Sequence, residues 1–321
     1  MRNLLFVCSV LILCCATAQA SPSFFVTGSY YDNVGLGVID PETGEGTRID
    51  SDANYYFYDV ARFDNNHLVT AKQNTIGIYD LNGNLTAQFT DTENPRCVTT
   101  YNGEVYYVTN NGNVKKLNVQ TGTITSLYNV GTSSYQYNAT YDIAVRSETE
   151  IFVRKDSYRI LQAGVEGYIH NSNIYYSIYD LVEGPNGYLF FSTQNIIGVI
   201  DPQNNVSIGC EIDISQADPW IAIQGISYDA QSGILYGLGA YFQGLAYGGY
   251  YIFQFDFDQQ TETLSMTVMD TMLDDMFVSL VSEFAVHYTL DAIDDQTIPE
   301  PCTVLLLGSG LVWILKRNRR G

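Results

Sequence analysis

The chain has 321 residues, with 15 Lys and Arg against 35 Asp and Glu and a formal net charge of −20. So acidic a surface argues against nucleic acid as a partner, because phosphate binding needs a basic face, and it favours solubility and the attraction of cations. Only two of the six cysteines, Cys97 and Cys210, lie away from the chain ends, too few for a disulfide framework, so both read as small buried residues.

The N-terminus reads as an export signal. Arg2 supplies a positive start, Leu4 to Leu13 an apolar run, and Ala18-Gln19-Ala20 a small-x-small cleavage site. Residues 1–20 are therefore expected to be a signal peptide, leaving Ser21 first. Cys14 and Cys15 raise a lipid-anchored alternative, which the bulky Leu13 before Cys14 disfavours.

The body that follows, 21–292, repeats itself. Strand–turn–strand units begin at Tyr58-Asp59, Tyr141-Asp142, Tyr179-Asp180 and Gln224-Gly225, and Cys97-Val98 fits the same slot. The anchors Asp59, Cys97, Asp142, Asp180 and Gly225 are about 40 residues apart, the period of a four-stranded propeller blade. Third strands end in a recurrent turn, as at Asp40-Pro41, Asp80 to Gly83 and Asp201-Pro202. Proline presets φ in such turns, and Gly or Asn accepts a positive φ. Small residues recur on the first strands, at Ala61, Ala144, Gly225, Ser227 and Ala285, where strands crowd an axis. Phe24 to Ser29 matches a second strand and Glu283 to Thr289 a lone first strand. The expectation is an all-β fold, a β-propeller of six blades, one of them a composite closed by N- and C-terminal strands. An irregular β-sandwich or solenoid is the alternative.

Asp59, Asp142 and Asp180 occupy equivalent places at the start of three inner strands. A carboxylate cluster at a channel mouth suits a metal such as calcium or a cationic ligand. The competing reading is structural, with each Asp accepting backbone N–H groups in its own turn or from a neighbouring blade. The other blades offer Cys97, Gly225 and Ala285 instead, which favours the structural reading. No cofactor is implied. His67, His170 and His287 have no ligand spacing, and no nucleophile elbow is present. Gly237 to Tyr250 inserts extra glycines and aromatics into the fifth internal repeat. Tyr241, Phe242, Tyr247 and Tyr250 form a candidate stacking surface for sugars, or else a longer buried hairpin.

After a short linker, 293–298, the chain ends in Pro299-Glu300-Pro301, an apolar run from Val304 to Leu315, and the cluster Lys316, Arg317, Arg319 and Arg320. Residues 299–321 resemble the PEP-CTERM sorting tail, and the chain as a whole is similar to exported PEP-CTERM propeller proteins. Twelve apolar residues make a helix of roughly 18 Å, a marginal transmembrane helix that flanking basic residues lengthen by snorkelling. The resemblance implies recognition by an exosortase-type membrane protease, passage through the inner membrane, and delivery to the cell surface or extracellular matrix. A tail that is retained as a permanent anchor is the alternative. Without Arg2, Glu300 and the four basic residues of the tail, 10 basic and 34 acidic residues remain, a body charge of about −24. The function expected is a non-enzymatic binding or structural module for exopolysaccharide or a surface protein. A channel-metal-dependent hydrolase or lyase of lactonase-like type is the alternative. A quinone dehydrogenase, which needs a large aromatic platform, fits poorly with the single body tryptophan, Trp220.

Overall fold

Short runs of Val, Ile, Tyr, Phe and Thr, cut by Asn-Gly, Asp-Pro and Thr-Gly turns, fold as antiparallel strands. The computed structural model describes residues 22–28, 35–40, 43–49, 57–132, 141–156, 159–171, 178–193, 196–201, 203–204, 212–213, 220–229, 232–243, 246–272 and 286–290. Among these there are 24 strands and one 3-10 turn, Pro185–Gly187.

The strands form six four-stranded sheets. Sheet 1 has β1 (Pro22–Gly28), β2 (Gly35–Ile39) and β3 (Gly46–Arg48), with β24 (Val286–Leu290) beside β1. Sheet 2 holds β4 (Phe57–Arg62), β5 (His67–Lys72), β6 (Thr75–Asp80) and β7 (Leu85–Thr90). Sheet 3 holds β8 (Pro95–Tyr101), β9 (Glu104–Thr109), β10 (Asn113–Asn118) and β11 (Thr123–Asn129). Sheet 4 holds β12 (Asp142–Ser147), β13 (Glu150–Asp156), β14 (Arg159–Gln162) and β15 (His170–Asn171). Sheet 5 holds β16 (Ile178–Glu183), β17 (Leu189–Thr193), β18 (Ile196–Ile200) and β19 (Ile212–Asp213). Sheet 6 holds β20 (Trp220–Asp229), β21 (Ile234–Gln243), β22 (Ala246–Asp258) and β23 (Thr263–Met272).

Each of sheets 2 to 6 is a simple meander, its four strands paired in chain order, and two-residue turns join β5 to β6, β8 to β9 and β12 to β13. Asn102 and Gly103 both have positive φ, at 51° and 73°, and bring Tyr101 opposite Glu104. That is the left-handed pair a tight hairpin needs, and Asn-Gly supplies it at low strain. At the β6–β7 turn the backbone N–H groups of Asn82 and Asn84 donate to Asp80 Oδ1 at 2.9 and 2.8 Å.

Burial explains why the strand pattern is not simple alternation. In β5, β9 and β17 nearly every residue is buried, whereas β7 and β11 are largely exposed. The middle strands are covered on both faces by the neighbouring sheets, so both faces are apolar. The hydrophobic clusters lie between successive sheets. Phe25 and Leu36 of sheet 1 pack with Val60 and Leu68 of sheet 2. Val69 and Ile78 meet Val98 and Tyr107 of sheet 3, and Cys97 and Val108 meet Ile143 and Val153 of sheet 4. Ala144 and Phe152 meet Leu181 and Phe191 of sheet 5, and Phe190 and Val199 meet Ile226 and Phe253 of sheet 6. Phe24 of β1 lies edge-on to Tyr236 of β21, with ring centres 5.1 Å apart. Full burial of each such side chain contributes about 1.5–3 kcal/mol, so the joints between sheets carry the core of a repetitive, β-propeller-like fold. Ser23–Thr289 form one compact unit.

No helix among the described residues is long and apolar enough to cross a membrane. The signal segment, Cys210, the Pro299-Glu300-Pro301 motif and the apolar run of the tail lie outside the described residues.

Candidate functional site

The first strands β4, β8, β12, β16 and β20 lie side by side in succession. Each pairs with its second strand on one edge only, so backbone N–H groups on the other edge lack ladder partners. A buried N–H without an acceptor is costly, and the three predicted aspartates meet that need. Asp59 Oδ1 accepts from Val60 N–H at 2.7 Å, and its Oδ2 accepts from Val98 N–H of sheet 3 at 2.8 Å. Asp142 Oδ1 accepts from Ile143 N–H at 2.7 Å and Oδ2 from Leu181 N–H of sheet 5 at 2.5 Å. Asp180 Oδ1 accepts from Leu181 N–H at 2.8 Å and Oδ2 from Ile226 N–H of sheet 6 at 2.7 Å. Each carboxylate therefore staples its own first strand to that of the next sheet, and all three are buried, at 4, 8 and 4 % exposure.

Asp142 and Asp180 converge on the same Leu181 N–H. Burial, and then the Asp142 charge, push the Asp180 carboxyl well above the usual carboxylate range. Arg154 lies opposite Asp142 in the register. It donates from Nη1 to Ile178 O at 2.6 Å and from Nη2 to Tyr141 O at 3.2 Å. Cys97, the counterpart of these aspartates in sheet 3, is a buried free thiol whose pKa is raised by burial and by Asp142 and Asp59. Among the described residues no group of three His, Cys, Asp or Glu side chains is placed to hold a metal ion.

The other sequence candidates are dispersed. His67 Nδ1 sits 2.9 Å from Asp64 Oδ1 at the start of β5. His170 is packed against Phe191, with ring centres 4.4 Å apart, and burial lowers its pKa. His287 lies in β24. The Gly237 to Tyr250 stretch continues β21 and β22 as a long hairpin, with Phe242 opposite Tyr247, Tyr241 opposite Gly249 and Ala240 opposite Tyr250. The side chains of these four aromatics lie outside the described residues.

Two groupings escaped the sequence reading. Lys115 Nζ, buried, lies 2.9 Å from Asp91 Oδ2 and 3.0 Å from Glu93 Oε1, and Tyr107 O–H donates to Asp91 Oδ2 at 2.8 Å. Burial alone would raise the pKa of Asp91, but donors from Glu93 N–H, Lys115 and Tyr107 outweigh it and hold the carboxyl below its ordinary range. Lys115 in the strand motif Asn113-Val-Lys-Lys was a signal, since a charge at an inward strand position needs a partner.

The second grouping comes from backbone irregularity. In sheet 2, Phe57 pairs with Lys72 and Asp59 with Ala71, which leaves Tyr58 as an extra residue. The same shift falls at Arg96 in sheet 3, Tyr179 in sheet 5 and Gln224 in sheet 6. The aspartate anchors of sheets 2 and 5 are thus each preceded by a bulge residue.

No protein-family model matches the chain, and no curated protein matches it. Solved structures do. A protein of unknown function from Bacteroides caccae superposes with a TM-score of 0.59 at 10% identity, over 84% of this chain and 99% of that one. YCF48, solved bound to a D1 peptide, gives 0.48 at 14% identity, over 82% and 83%. The Cps50 (Swd1) β-propeller domain of Myceliophteria thermophila gives 0.48 at 11%, over 78% and 86%. At such identities the likeness concerns the fold alone.

Proposed function

We propose that the protein is an exported, six-bladed β-propeller that acts as a non-enzymatic binding or structural module at the cell surface or in the extracellular matrix. The observation that carries this reading is the use of the axial carboxylates. The residues a metal-dependent hydrolase or lyase would draw on, Asp59, Asp142 and Asp180, already spend both oxygens on backbone N–H groups. A closed ring of six is supported by the sheet order that places β24 beside β1 and by the Phe24–Tyr236 contact between sheets 1 and 6.

The destination follows from the ends of the chain. The N-terminal 20 residues direct export. The tail 299–321, with its short transmembrane helix, holds the protein in the inner membrane until an exosortase-type protease acts at the Pro299-Glu300-Pro301 region. Exopolysaccharide or a surface protein is then the partner. Cell fractionation with intact-mass measurement tests this. A form that begins at Ser21, lacks the basic tail and occurs at the surface or in the matrix is the expected result. A form that keeps Arg320 and stays in the inner membrane would contradict it.

A further inference from the structure

The turns after the third strands repeat, and sheet 6 departs from the repeat. In sheets 1 and 3 the sequences Asp40-Pro-Glu-Thr-Gly44 and Asn118-Val-Gln-Thr-Gly122 end on a glycine in the left-handed region, at φ 74° and 70°. Sheet 6 has Asp258-Gln-Gln-Thr-Glu262, with Glu262 at φ 51°. Glycine takes that conformation without strain and glutamate does not. Strained residues that persist in a fold cluster at ligand sites. A second departure lies beside the first. The residue before the turn is buried at Ile39, Tyr79, Leu117 and Ile200, at 0 to 3 % exposure, whereas Phe257 is only half-buried.

Both departures meet at an aromatic rim between sheets 5 and 6. The residue before the second strand is Asn66, Gly103, Thr149 and Gly233 in sheets 2, 3, 4 and 6, but Tyr188 in sheet 5. The half-buried rings of Tyr188 and Phe257 meet edge-on, with centres 5.0 Å apart. The buried Phe190 ring supports Phe257 at 5.3 Å. Tyr188 O–H donates to Glu262 Oε1 at 3.5 Å, and Asn186 Nδ2 donates to Gln259 Oε1 in the same pair of turns. Glu262 itself is exposed. The charges at this rim are acidic. Burial, and then Glu262 and Asp201, raise the Tyr188 pKa. Arg146 acts on Asp201, but it lies over the Phe152 ring at 4.6 Å and also answers to Glu150 and Glu183. Aromatic faces beside a carboxylate attract an ammonium group.

We propose that Tyr188, Phe257 and Glu262 form a site for an ammonium-bearing sugar, a glucosamine residue of a cationic glycan, with the Glu262 carboxylate on the ammonium and the two rings against the pyranose face. The carboxylate selects for positive charge, and the rings supply the apolar and cation–π contact. The Asn186 and Gln259 amides offer donors and acceptors to the sugar hydroxyls. The acidic body complements a cationic polymer as a whole. This rests on the binding-module reading and names its ligand class and its surface. Export and sorting are tested separately by fractionation, so either can fail without the other.

Calorimetric titration of the mature protein with the glucosamine trimer tests the site, at mildly acidic pH where the amines are charged. The N-acetylglucosamine trimer, which lacks the ammonium, and trilysine, which lacks the sugar ring, serve as comparisons. The glucosamine trimer should bind, with the other two roughly tenfold weaker or more. Glu262→Gly restores the glycine of the turns in sheets 1 and 3, so it should fold at least as stably as the wild type while binding falls roughly tenfold or more. Glu262→Gln keeps the turn as it is and should lose as much, which isolates the charge. Tyr188→Ala should also weaken binding, and Glu45→Gln, beside the sheet 1 turn, should leave it unchanged. Undetectable binding of the glucosamine trimer at millimolar concentration would overturn the proposal. So would equal binding by wild type and Glu262→Gly. Trilysine or the acetylated trimer binding as tightly as the glucosamine trimer would overturn it as well, the former in favour of a lysine-rich protein partner.

Discussion

The joint between sheets 4 and 5 and the joint between sheets 3 and 4 solve one problem in two ways. At the first, Asp142 reaches across to Leu181 N–H and accepts Ile143 N–H on its own strand. At the second, the equivalent residue is Cys97, which reaches no N–H of sheet 4, and the joint is apolar, built from Cys97, Tyr106, Val108, Ile143, Val145 and Val153. The difference teaches that these first-strand aspartates answer to the hydrogen-bond needs of buried, unpaired strand edges. Where Asp59 has already capped Val98 N–H and Asp142 caps Ile143 N–H, a further carboxylate is not needed, and a small thiol fills the space.

The largest expected effect breaks a stapled joint. Asp59→Ala strands two buried donors, Val60 N–H and Val98 N–H. At about 1–3 kcal/mol per unpaired buried group, the loss should be about 3–5 kcal/mol. The urea midpoint should fall with little change in slope, and a loss below about 1 kcal/mol would mean that the staple is dispensable.

The joint between sheets 1 and 2 offers a backbone counterpart. Gly83, at φ +83°, would place a Cβ 2.1 Å from Ile49 O. A side chain there meets both the left-handed penalty of about 1–2 kcal/mol and a clash with backbone. Gly83→Ala should lower the thermal midpoint by an amount second only to Asp59→Ala. Cys97→Ala, by contrast, removes one small buried group and should cost about 1 kcal/mol. If Cys97→Ala matched Asp59→Ala, the distinction between the two kinds of joint would collapse.

The smallest effect is one of slope. The folded carboxyl of Asp180 titrates above its ordinary value of 3.8, because of burial and the neighbouring Asp142. The folded state then binds more protons than the unfolded state above that value, so the stability this group contributes is lost as pH rises from 3.8 through the raised pKa. Facing it are Asp142 and Asp59, with Arg154 and Cys97 beside Asp142. Asp180→Asn removes the titrating group, and its stability should vary less with pH over that window than that of the wild type. Identical pH profiles would show that Asp180 does not carry the proton. Asp91 has the opposite sign. Its folded pKa is lowered, so its contribution is present above 3.8 and is lost as pH falls.

The repeat and its strand order were legible because they are written in local chemistry. Turn residues such as Asn102-Gly103 and Asp80 to Gly83 fix hairpins over four or five residues, and the spacing of the anchors follows. The pairing of β24 with β1 was legible for a different reason, since an unpaired second strand at one end and an unpaired first strand at the other complete each other. At the site, the equivalence of Asp59, Asp142 and Asp180 was readable, and ligand and staple were the two readings it offered. Their partners were not, because Val98, Leu181 and Ile226 lie 39 to 46 residues away and a donor N–H leaves no mark in the sequence. The bulges at Tyr58, Arg96 and Tyr179 were hidden for a similar reason. A one-residue register shift between two strands depends on both, and neither strand alone reveals it. Lys115 stood out only as a charge at an inward strand position, with its acids Asp91 and Glu93 two strands earlier, between β7 and β8.

Thermal unfolding of the mature body with calcium and with a chelator, for the wild type and for Asp142→Ala, tests most directly whether the axial carboxylates are staples. The account predicts that chelation and calcium leave the wild-type midpoint unchanged, and that Asp142→Ala lowers it equally in both conditions. A midpoint that falls on chelation and is restored by calcium in the wild type, with the calcium response lost in Asp142→Ala, would contradict it and make the three aspartates a metal site.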